Sequence, residues 1–285
     1  MMEKKRRVVD FHTHIFPDKI AIKAIPIFEN SGHVKANTNG TLQGLKESMD
    51  YANIEYSIAL PVATSVKQVK SINDFAINVN NSYKTNHVIS FGAMHPDYID
   101  YKEELIRLKE NGIKGIKLHP EYQNTYIDSL KYINIIDEAF NLGLIVIIHA
   151  GIDIGIDSDI KATPDRILRC KESLKHDGVF ILAHMGSWNM WDEVYDKILG
   201  KGFYLDTAFA LGKLLYRGNT IKMFDEAMLK KFIDKQGIDY ILFASDSPWA
   251  KQEEYVSYLN NMNLDEKSLD KIFYGNANKL LKIEV

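Results

Sequence analysis

The chain has 285 residues, of which 46% are hydrophobic and 26% are charged, a composition typical of a globular protein rather than a disordered or fibrous one. The 35 Lys and Arg residues nearly balance the 38 Asp and Glu residues without forming a basic stripe, so nucleic acid is not an expected partner. The single cysteine, Cys170, excludes an intramolecular disulfide. Neither a cleavable leader nor an apolar run of ~20 residues is visible, and we therefore expect a cytoplasmic protein without a membrane span.

Short apolar runs bounded by turn residues recur along the whole chain. They are rich in Val, Ile, Leu and Phe, which is typical of strands buried on both faces. Eight such strands are predicted, at Val8–Ile15, Ile54–Leu60, Val88–His95, Ile113–His119, Leu144–His149, Val179–His184, Phe203–Thr207 and Ile238–Ser245.

Segments with helical periodicity separate these strands. Tyr101–Glu110 ends at Asn111-Gly112, Leu130–Asn141 ends near Gly143, and Thr163 followed by Pro164 is typical of a helix start. A strict alternation of strand and helix favours parallel strands joined by right-handed crossovers. Eight such units predict a closed (β/α)8 TIM barrel, formed as a single domain by residues 1–285.

Two segments depart from the regular spacing. The first strand is followed by a long connection containing the polar stretch Asn30–Gly40, which is either a lid or binding loop or a disordered surface loop. The chain ends in a helical extension, predicted at Glu253–Asn260, Leu269–Phe273 and Asn276–Leu281.

Histidine placement is the main functional signal in the sequence. Six of the nine histidines end predicted strands: His12, His14, His95, His119, His149 and His184. The carboxyl ends of barrel strands form the face on which active sites of such barrels are built. We therefore expect an active site where these imidazoles converge.

The first strand contains an His-x-His pair. His12 and His14 are two residues apart, so both side chains project to one side of the strand and can share a cation. His149 and His184 follow very apolar runs on the fifth and sixth strands, and Asp246 ends the eighth. A carboxylate at such a position is costly unless it is paired or bound to metal.

Several motifs resemble the amidohydrolase superfamily, and specifically its amidohydrolase-related branch, which includes the aminocarboxymuconate-semialdehyde decarboxylase-like enzymes. The resemblance spans essentially the whole chain and is carried by DFHTH at 10–14, GIKGIKLHP at 112–120, IIHAG at 147–151, LAHMGS at 182–187, YLDTA at 204–208, FASDSPW at 243–249 and YGNANKLL at 274–281. It implies that His12, His14, His149 and Asp246 hold a catalytic metal, commonly zinc. It also implies that His184 assists proton transfer or, in binuclear relatives, binds a second metal.

The fourth strand leaves the number of metals open. Lys117 and His119 lie on one side of that strand, and two-metal relatives place a carboxylated lysine or a glutamate at its end. Lys117 is thus either a bridge between two metals or an ammonium that contacts an anionic substrate or a carboxylate. We expect one divalent ion, with Lys117, His119 and His184 as candidates for a second metal or for substrate binding.

Three functions are compatible with these residues. The leading interpretation is a hydrolase in which a metal-activated water attacks an amide, ester or lactone of a small, anionic molecule, with Asp246 and His184 as catalytic residues. The alternative is a non-oxidative, metal-dependent decarboxylase of an aromatic or unsaturated carboxylic acid. A third interpretation is a barrel without catalysis that serves as a binding module. Analogy with relatives also suggests a homodimer.

Further residues near the predicted rim carry weaker signals. Trp188, Trp191 and Trp249 follow the sixth and eighth strands and either wall an aromatic pocket or simply pack. Lys213 and Arg217 follow the seventh strand and either bind a substrate carboxylate or remain solvated.

Overall fold

A computed structural model describes residues 6–216 and 219–283, and a ring of parallel strands forms its centre. The strands are β1 Val9–Thr13, β2 Tyr56–Ala59, β3 Val88–Ser90, β4 Gly92–Ala93, β5 Gly115–Leu118, β6 Ile145–Ile148, β7 Phe180–Leu182, β8 Tyr204–Asp206, β9 Lys213–Tyr216, β10 Asn219–Lys222 and β11 Ile241–Leu242. All of them pair in parallel except β9 and β10, which form an antiparallel hairpin.

Backbone hydrogen bonds join two parallel sheets into one ring. The sheet β1-β2-β3 continues into the sheet β4-β5-β6-β7-β8-β11, because β3 and β4 are one predicted strand interrupted at Phe91. The first and last barrel strands meet at the other junction. There the Phe11 N–H donates to the Phe243 carbonyl and the Asp246 N–H donates to the His12 carbonyl, each with an N···O distance of 2.9 Å. The predicted (β/α)8 barrel is therefore confirmed.

Helices surround this ring and follow the predicted alternation. They are α1 Asp18–Gly32, α2 Leu42–Ala52, α3 Val69–Asn81, α4 Tyr83–Asn86, α5 Tyr101–Glu110, α6 Leu130–Asn141, α7 Pro164–Glu172, α8 Trp191–Glu193, α9 Glu226–Gln236, α10 Gln252–Asn260, α11 Glu266–Asp270 and α12 Asn276–Leu281. The Thr163 side chain accepts from the Arg166 N–H, as the predicted N-cap requires. Among the described residues, no helix has the length and apolar character needed to cross a bilayer.

The strands are apolar on both faces because each face contributes to a different core. On β6, Ile145 and Ile147 belong to one buried cluster, whereas Val146 and Ile148 belong to another that includes residues of the surrounding helices. Alternate side chains of a strand point to opposite faces, so this division follows directly from the strand geometry. The smaller cluster also contains Phe11 and Phe91, whose rings meet edge to face at 6.0 Å.

The connection after β1 differs from the predicted long loop. Its first part forms the 15-residue helix α1, which buries Ala21 and Ile25 one turn apart. Between α1 and α2, the residues from the αL cap at His33 to the N-cap Thr41 remain irregular. Pro26 lies inside α1 and obscures the helical pattern in the sequence, because proline is a strong helix-breaking signal.

Two other predicted boundaries also change. The strand predicted at Ile238–Ser245 is reduced to β11, since Ile238–Tyr240 forms a 3-10 turn. The strand predicted to end at His184 ends at Leu182, and His184 begins a 3-10 turn with a positive φ of 60°. Lys213 begins the β9-β10 hairpin rather than a loop, and Arg217 lies outside the described residues.

A buried carboxylate reinforces the junction between the first and last strands. Asp10 is fully buried and accepts hydrogen bonds from the Ser245 N–H at 2.9 Å, the Ser245 hydroxyl at 2.5 Å and the Gln252 amide at 2.8 Å. Burial raises its pKa to about 6, although the same hydrogen bonds oppose this shift. Asp10 therefore ties β1 to the segment after β11 and to helix α10.

Replacing Asp10 by alanine should destabilise the barrel. The Asp10→Ala change leaves buried donors on Ser245 and Gln252 without acceptors, so we expect the free energy of unfolding to fall by about 3 kcal/mol. Urea unfolding followed by circular dichroism measures this change. Asp50→Ala, at an exposed position of α2, is the control and should unfold like the unmodified protein. If Asp10→Ala and the unmodified protein had the same free energy of unfolding, Asp10 would not stabilise the junction.

Candidate active site

A cavity of about 140 Å³ lies at the carboxyl ends of the barrel strands. Five of the six histidines predicted at this rim line it: His12, His14, His119, His149 and His184. His95 is absent from the lining; its Nδ1 instead accepts from the Asp97 N–H at 3.2 Å and fixes the following loop. Lys117 and Asp246 complete the predicted set that reaches the cavity.

His12 in β1 and His14 just after it both line this cavity. The pairing of β1 with β2 shifts between Asp10 and Thr13, which is the mark of a β-bulge. The rings of His12 and His14 meet edge to face with centroids 5.0 Å apart. Bulges are common next to active sites because they redirect side chains.

The partners of these two rings determine which nitrogen atoms remain free. His14 Nδ1 lies 2.8 Å from the Leu60 carbonyl, which only accepts, so Nδ1 carries the hydrogen and Nε2 has a lone pair. His12 Nδ1 lies 2.8 Å from the Asp206 carboxylate, which fixes the same tautomer. Metal-binding histidines commonly donate their second N–H to a carbonyl or carboxylate in this way.

Asp246 meets both free nitrogen atoms. Its Oδ1 lies 3.0 Å from His14 Nε2 and 3.5 Å from His12 Nε2, and the three ligand atoms lie within 4.8 Å of one another. Burial raises the pKa of Asp246, but the neighbouring histidines His12 and His14 outweigh it and the net pKa is lowered. The residue has a positive φ of 75°, an uncommon conformation for a non-glycine residue that occurs at helix caps and at functional sites. We call His12, His14 and Asp246 the histidine–aspartate triad.

His149, the fourth predicted ligand, belongs to a different cluster. Its ligand atoms group with those of His119 and Asp153, again within 4.8 Å, and the rings of His149 and His119 stack at 4.3 Å. The His184 ring connects the two clusters, with centroids 5.4 Å from His12 and 4.8 Å from His149. Thus the structure brings three of the four predicted ligands together, His12, His14 and Asp246. The His184 ring lies between them and the fourth predicted ligand, His149.

His149 exposes a lone pair that no described residue satisfies. His184 Nδ1 donates to the Ala208 carbonyl at 2.9 Å, so its Nε2 accepts from His149 Nδ1 at 3.0 Å. His149 Nε2 is then unprotonated, and within residues 6–216 and 219–283 this buried atom has no hydrogen-bond partner. Burial also lowers the pKa of both rings, which keeps them neutral. A buried nitrogen of this kind suits a cation or a substrate donor.

Lys117 lies against the histidine–aspartate triad. Its Nζ is 3.3 Å from His12 Nε2, and the side chain is almost fully buried. Burial lowers its pKa to about 8, although Asp206 and Asp246 favour the charged form. The position suits both roles considered from the sequence, a bridge between metals and a cation for an anionic substrate.

Asp153 is a site residue that the sequence analysis missed. It lines the cavity four residues after His149, in the connection between β6 and α7. Its Oδ2 lies 3.4 Å from His119 Nε2 and its Oδ1 accepts from the Gly155 N–H at 2.8 Å. Burial raises its pKa to about 6. The only sequence signal was an acidic residue closely following a rim histidine, among other aspartates at 157 and 159.

Aromatic rings form much of the remaining cavity wall. Trp249 contacts Phe28 of α1 with centroids at 5.7 Å, Phe28 contacts Tyr122 at 5.8 Å, and Tyr122 contacts His119 at 4.3 Å. We call Trp249, Phe28 and Tyr122 the aromatic wall. Trp188 also lines the cavity, whereas Trp191 packs against Phe224 behind it. Two of the three tryptophans therefore wall the pocket and the third only packs.

A sequence profile of the family described as "Amidohydrolase" matches residues 9–283. The chain belongs to the amidohydrolase family. This family consists of enzymes that use metal-dependent catalysis, and the resemblance seen in the sequence motifs is confirmed. No curated protein sequence matches this chain.

Several solved structures share the fold of this chain over nearly its whole length. A 2,6-dihydroxybenzoate decarboxylase from Rhizobium is 19% identical, with a TM-score of 0.68 over 98% of this chain and 99% of that one. A 5-carboxyvanillate decarboxylase from Sphingomonas paucimobilis is 12% identical, with a TM-score of 0.68 over 98% and 100%. A dihydroxybenzoic acid decarboxylase from Polaromonas sp. JS666, solved with manganese and 2-nitroresorcinol, is 18% identical, with a TM-score of 0.68 over 98% and 97%. At these identities the likeness establishes the barrel fold.

Asp206 should control metal affinity through His12. In Asp206→Asn an amide N–H faces His12 Nδ1, which favours the tautomer with the hydrogen on Nε2. We expect divalent-metal affinity to fall about 10- to 100-fold, as measured by competition with a chromogenic chelator. The surface pair His176–Asp137 has a similar contact of 3.1 Å, so Asp137→Asn is the matched control. Unchanged affinity in Asp206→Asn would contradict this tautomer assignment.

Glu121 anchors the connection that contains Asp153. Its Oε1 accepts from the backbone N–H groups of Lys161 at 2.8 Å and Ala162 at 3.3 Å, near the end of this connection. Its Oε2 is buried, with no hydrogen-bond partner within the described part of the chain. Burial raises the pKa of Glu121 to about 7, so folding favours the protonated carboxyl.

The stabilisation due to Glu121 should disappear as the pH rises. Because the pKa of Glu121 is higher in the folded than in the unfolded protein, protonation stabilises the fold. This stabilisation is fully present below pH 4.5, the ordinary pKa of a glutamate, and is lost as the pH rises through about 7. Between pH 5 and 8, the free energy of unfolding should fall about 2 kcal/mol more in the unmodified protein than in Glu121→Gln. Urea unfolding of both proteins at constant metal concentration measures the difference. Parallel pH profiles would show that Glu121 has no such role.

Proposed function

We propose that the protein is a metal-dependent, non-oxidative decarboxylase of an aromatic carboxylic acid. One observation carries the proposal: the histidine–aspartate triad and Lys117 open into a cavity that is walled by aromatic rings. A flat ring fits between such walls, while its carboxylate meets the cationic end of the cavity. An apolar cavity of about 150 Å³ accepts benzene, so a cavity of about 140 Å³ has room for an aromatic ring.

The residues present fit a divalent cation. His12 Nε2, His14 Nε2 and Asp246 Oδ1 present three acceptors to one space. Lys117 Nζ lies 3.3 Å from His12 Nε2, and a divalent cation would satisfy all three acceptors at once. His149 Nε2 adds a further unsatisfied nitrogen. Imidazole and carboxylate ligands suit zinc and manganese alike, and the decarboxylase from Polaromonas was solved with manganese. We propose that one such ion is held by His12, His14 and Asp246, with His149 as the predicted fourth ligand.

Substrate binding depends on the walls and on charge. When bound, the cation would hold substrate oxygen atoms and stabilise negative charge on them. Lys117 lies close enough to the triad to contact the same carboxylate. Tyr122 and Trp249 border the ring, exclude water and limit its orientation.

Decarboxylation replaces a carboxylate by a proton. The bond between the ring carbon and the carboxylate breaks, CO₂ leaves, and the electron pair left on the ring carbon binds a proton. Asp246 and His184 both line the cavity. We assign delivery of the proton, which comes from solvent, to Asp246. Both ring nitrogens of His184 are engaged, by the Ala208 carbonyl and by His149, so His184 is a positioning residue that fixes the His149 ring before substrate arrives.

Two observations bear on the choice between the functions considered from the sequence. Hydrolysis was the leading interpretation there, but the three solved relatives described above are named decarboxylases, which supports the alternative. Hydrolysis of an amide, ester or lactone remains the second candidate because the same ligands, His12, His14 and Asp246, would also hold a metal that activates water.

Turnover in deuterated water tests the proposal. With zinc or manganese and a panel of hydroxylated and amino-substituted benzoic acids, we expect CO₂ release in proportion to substrate loss. One deuterium should appear on the ring carbon that carried the carboxylate, as measured by NMR. Asp246→Asn should lower kcat/KM at least 100-fold, because Asp246 is both a ligand and a proton carrier.

Other outcomes would reject decarboxylation. Release of an acid from amide, ester or lactone substrates, with ¹⁸O from labelled water in the product and no CO₂, would establish the hydrolase. No turnover of either substrate set by the metal-loaded protein would favour the non-catalytic barrel.

A further inference from the structure

We propose that Asp153, oriented by His119, makes the site selective for aromatic monocarboxylic acids that carry a hydrogen-bond donor, such as a ring hydroxyl or amino group, and makes it reject dicarboxylic acids. This inference rests on the proposed function and specifies its substrate class. Asp153 has no part in the proton transfer assigned above, which leaves a cavity-lining carboxylate to be explained.

Asp153 offers an acceptor that the protein leaves open. Its side chain is 11% exposed and lines the cavity. The Gly155 N–H occupies Oδ1 at 2.8 Å, whereas Oδ2 accepts no hydrogen bond shorter than 3.4 Å from the described residues. A carboxylate desolvated to this degree is costly unless a donor reaches it, and a ligand in the cavity is the available source.

His119 fixes the direction of this acceptor. The Tyr122 N–H donates to His119 Nδ1 at 3.3 Å, so in the neutral ring the hydrogen is on Nε2, the nitrogen that faces Asp153 Oδ2. This tautomer leaves His119 no lone pair at Nε2 for a metal. The cluster of His119, His149 and Asp153 therefore differs chemically from the triad, although its atoms are similarly close.

The two clusters that line the cavity consequently have opposite preferences. The triad and Lys117 attract a carboxylate, whereas Asp153 Oδ2 faces, among the described residues, the ring nitrogens of His119 and His149 at 3.4 and 4.0 Å. A second carboxylate at Asp153 would face a like charge in a poorly solvated space. A hydroxyl or amino group there would instead donate to Oδ2, and sites built to bind such a group strongly reject analogues that lack it.

Ligand binding measured without turnover tests this selection separately from the reaction. The probes are benzoate, 3- and 4-hydroxybenzoate, 3- and 4-aminobenzoate, isophthalate and terephthalate, with metal-loaded protein and quenching of tryptophan fluorescence as the readout. Trp188 and Trp249 line the cavity and report occupancy. We expect at least one hydroxy or amino acid to bind ten-fold or more tightly than benzoate, and both dicarboxylates to bind more weakly than benzoate.

Asp153→Asn should remove this discrimination while retaining the shape of the side chain. We expect affinity for the preferred hydroxy or amino acid to fall at least ten-fold, affinity for the dicarboxylates to rise, and benzoate binding to change less than three-fold. Asp157→Asn, at an exposed position of the same connection, is the control and should bind all probes like the unmodified protein. Circular dichroism shows whether Asp153→Asn is folded like the unmodified protein. If it is not, Asp153→Ser is used in its place.

The outcomes separate the two proposals. If the acids bind without discrimination, or if the Asp153 variants keep full discrimination, the selective role of Asp153 is wrong and the proposed reaction stands. If none of the acids binds, the aromatic acid substrate class is wrong and this selection fails with it.

Discussion

The site depends on which ring nitrogen of each buried histidine carries the hydrogen. Hydrogen bonds to one ring nitrogen fix the tautomer of each histidine. Main-chain carbonyls accept from His14 and His184, the Asp206 carboxylate accepts from His12, and a main-chain N–H donates to His119. Burial lowers the pKa of His12, His119, His149 and His184, so these rings remain neutral and each keeps one donor and one acceptor. The backbone therefore decides which rings can bind a cation and which can only donate.

Such control requires a rigid frame around the rings. The barrel supplies it by placing successive strand ends side by side, so that residues far apart in sequence meet at fixed distances. Closure between β1 and the segment after β11 is the critical junction, because it places Asp246 beside His12 and His14. The buried Asp10 next to this junction joins the same two segments through side-chain hydrogen bonds.

The cavity residues at the strand ends could be predicted from the sequence, whereas those in the segments between strands could not. Apolar runs mark buried strands, and a polar residue at the end of such a run projects to the rim; this reasoning placed His12, Lys117 and Asp246 in the cavity. Asp153 and Phe28 reach the cavity only through the packing of a loop and a helix, which no local periodicity encodes. The separation of His149 from the triad likewise depends on the position of the His184 ring, a three-dimensional property.

Helix α1 separates the shape of the cavity from its chemistry. It contributes Phe28 to the cavity but none of the proposed metal ligands, and its exposed face includes Ile20 and Ile22. Substitutions in α1 can therefore change the shape of the cavity while the residues at the strand ends stay the same.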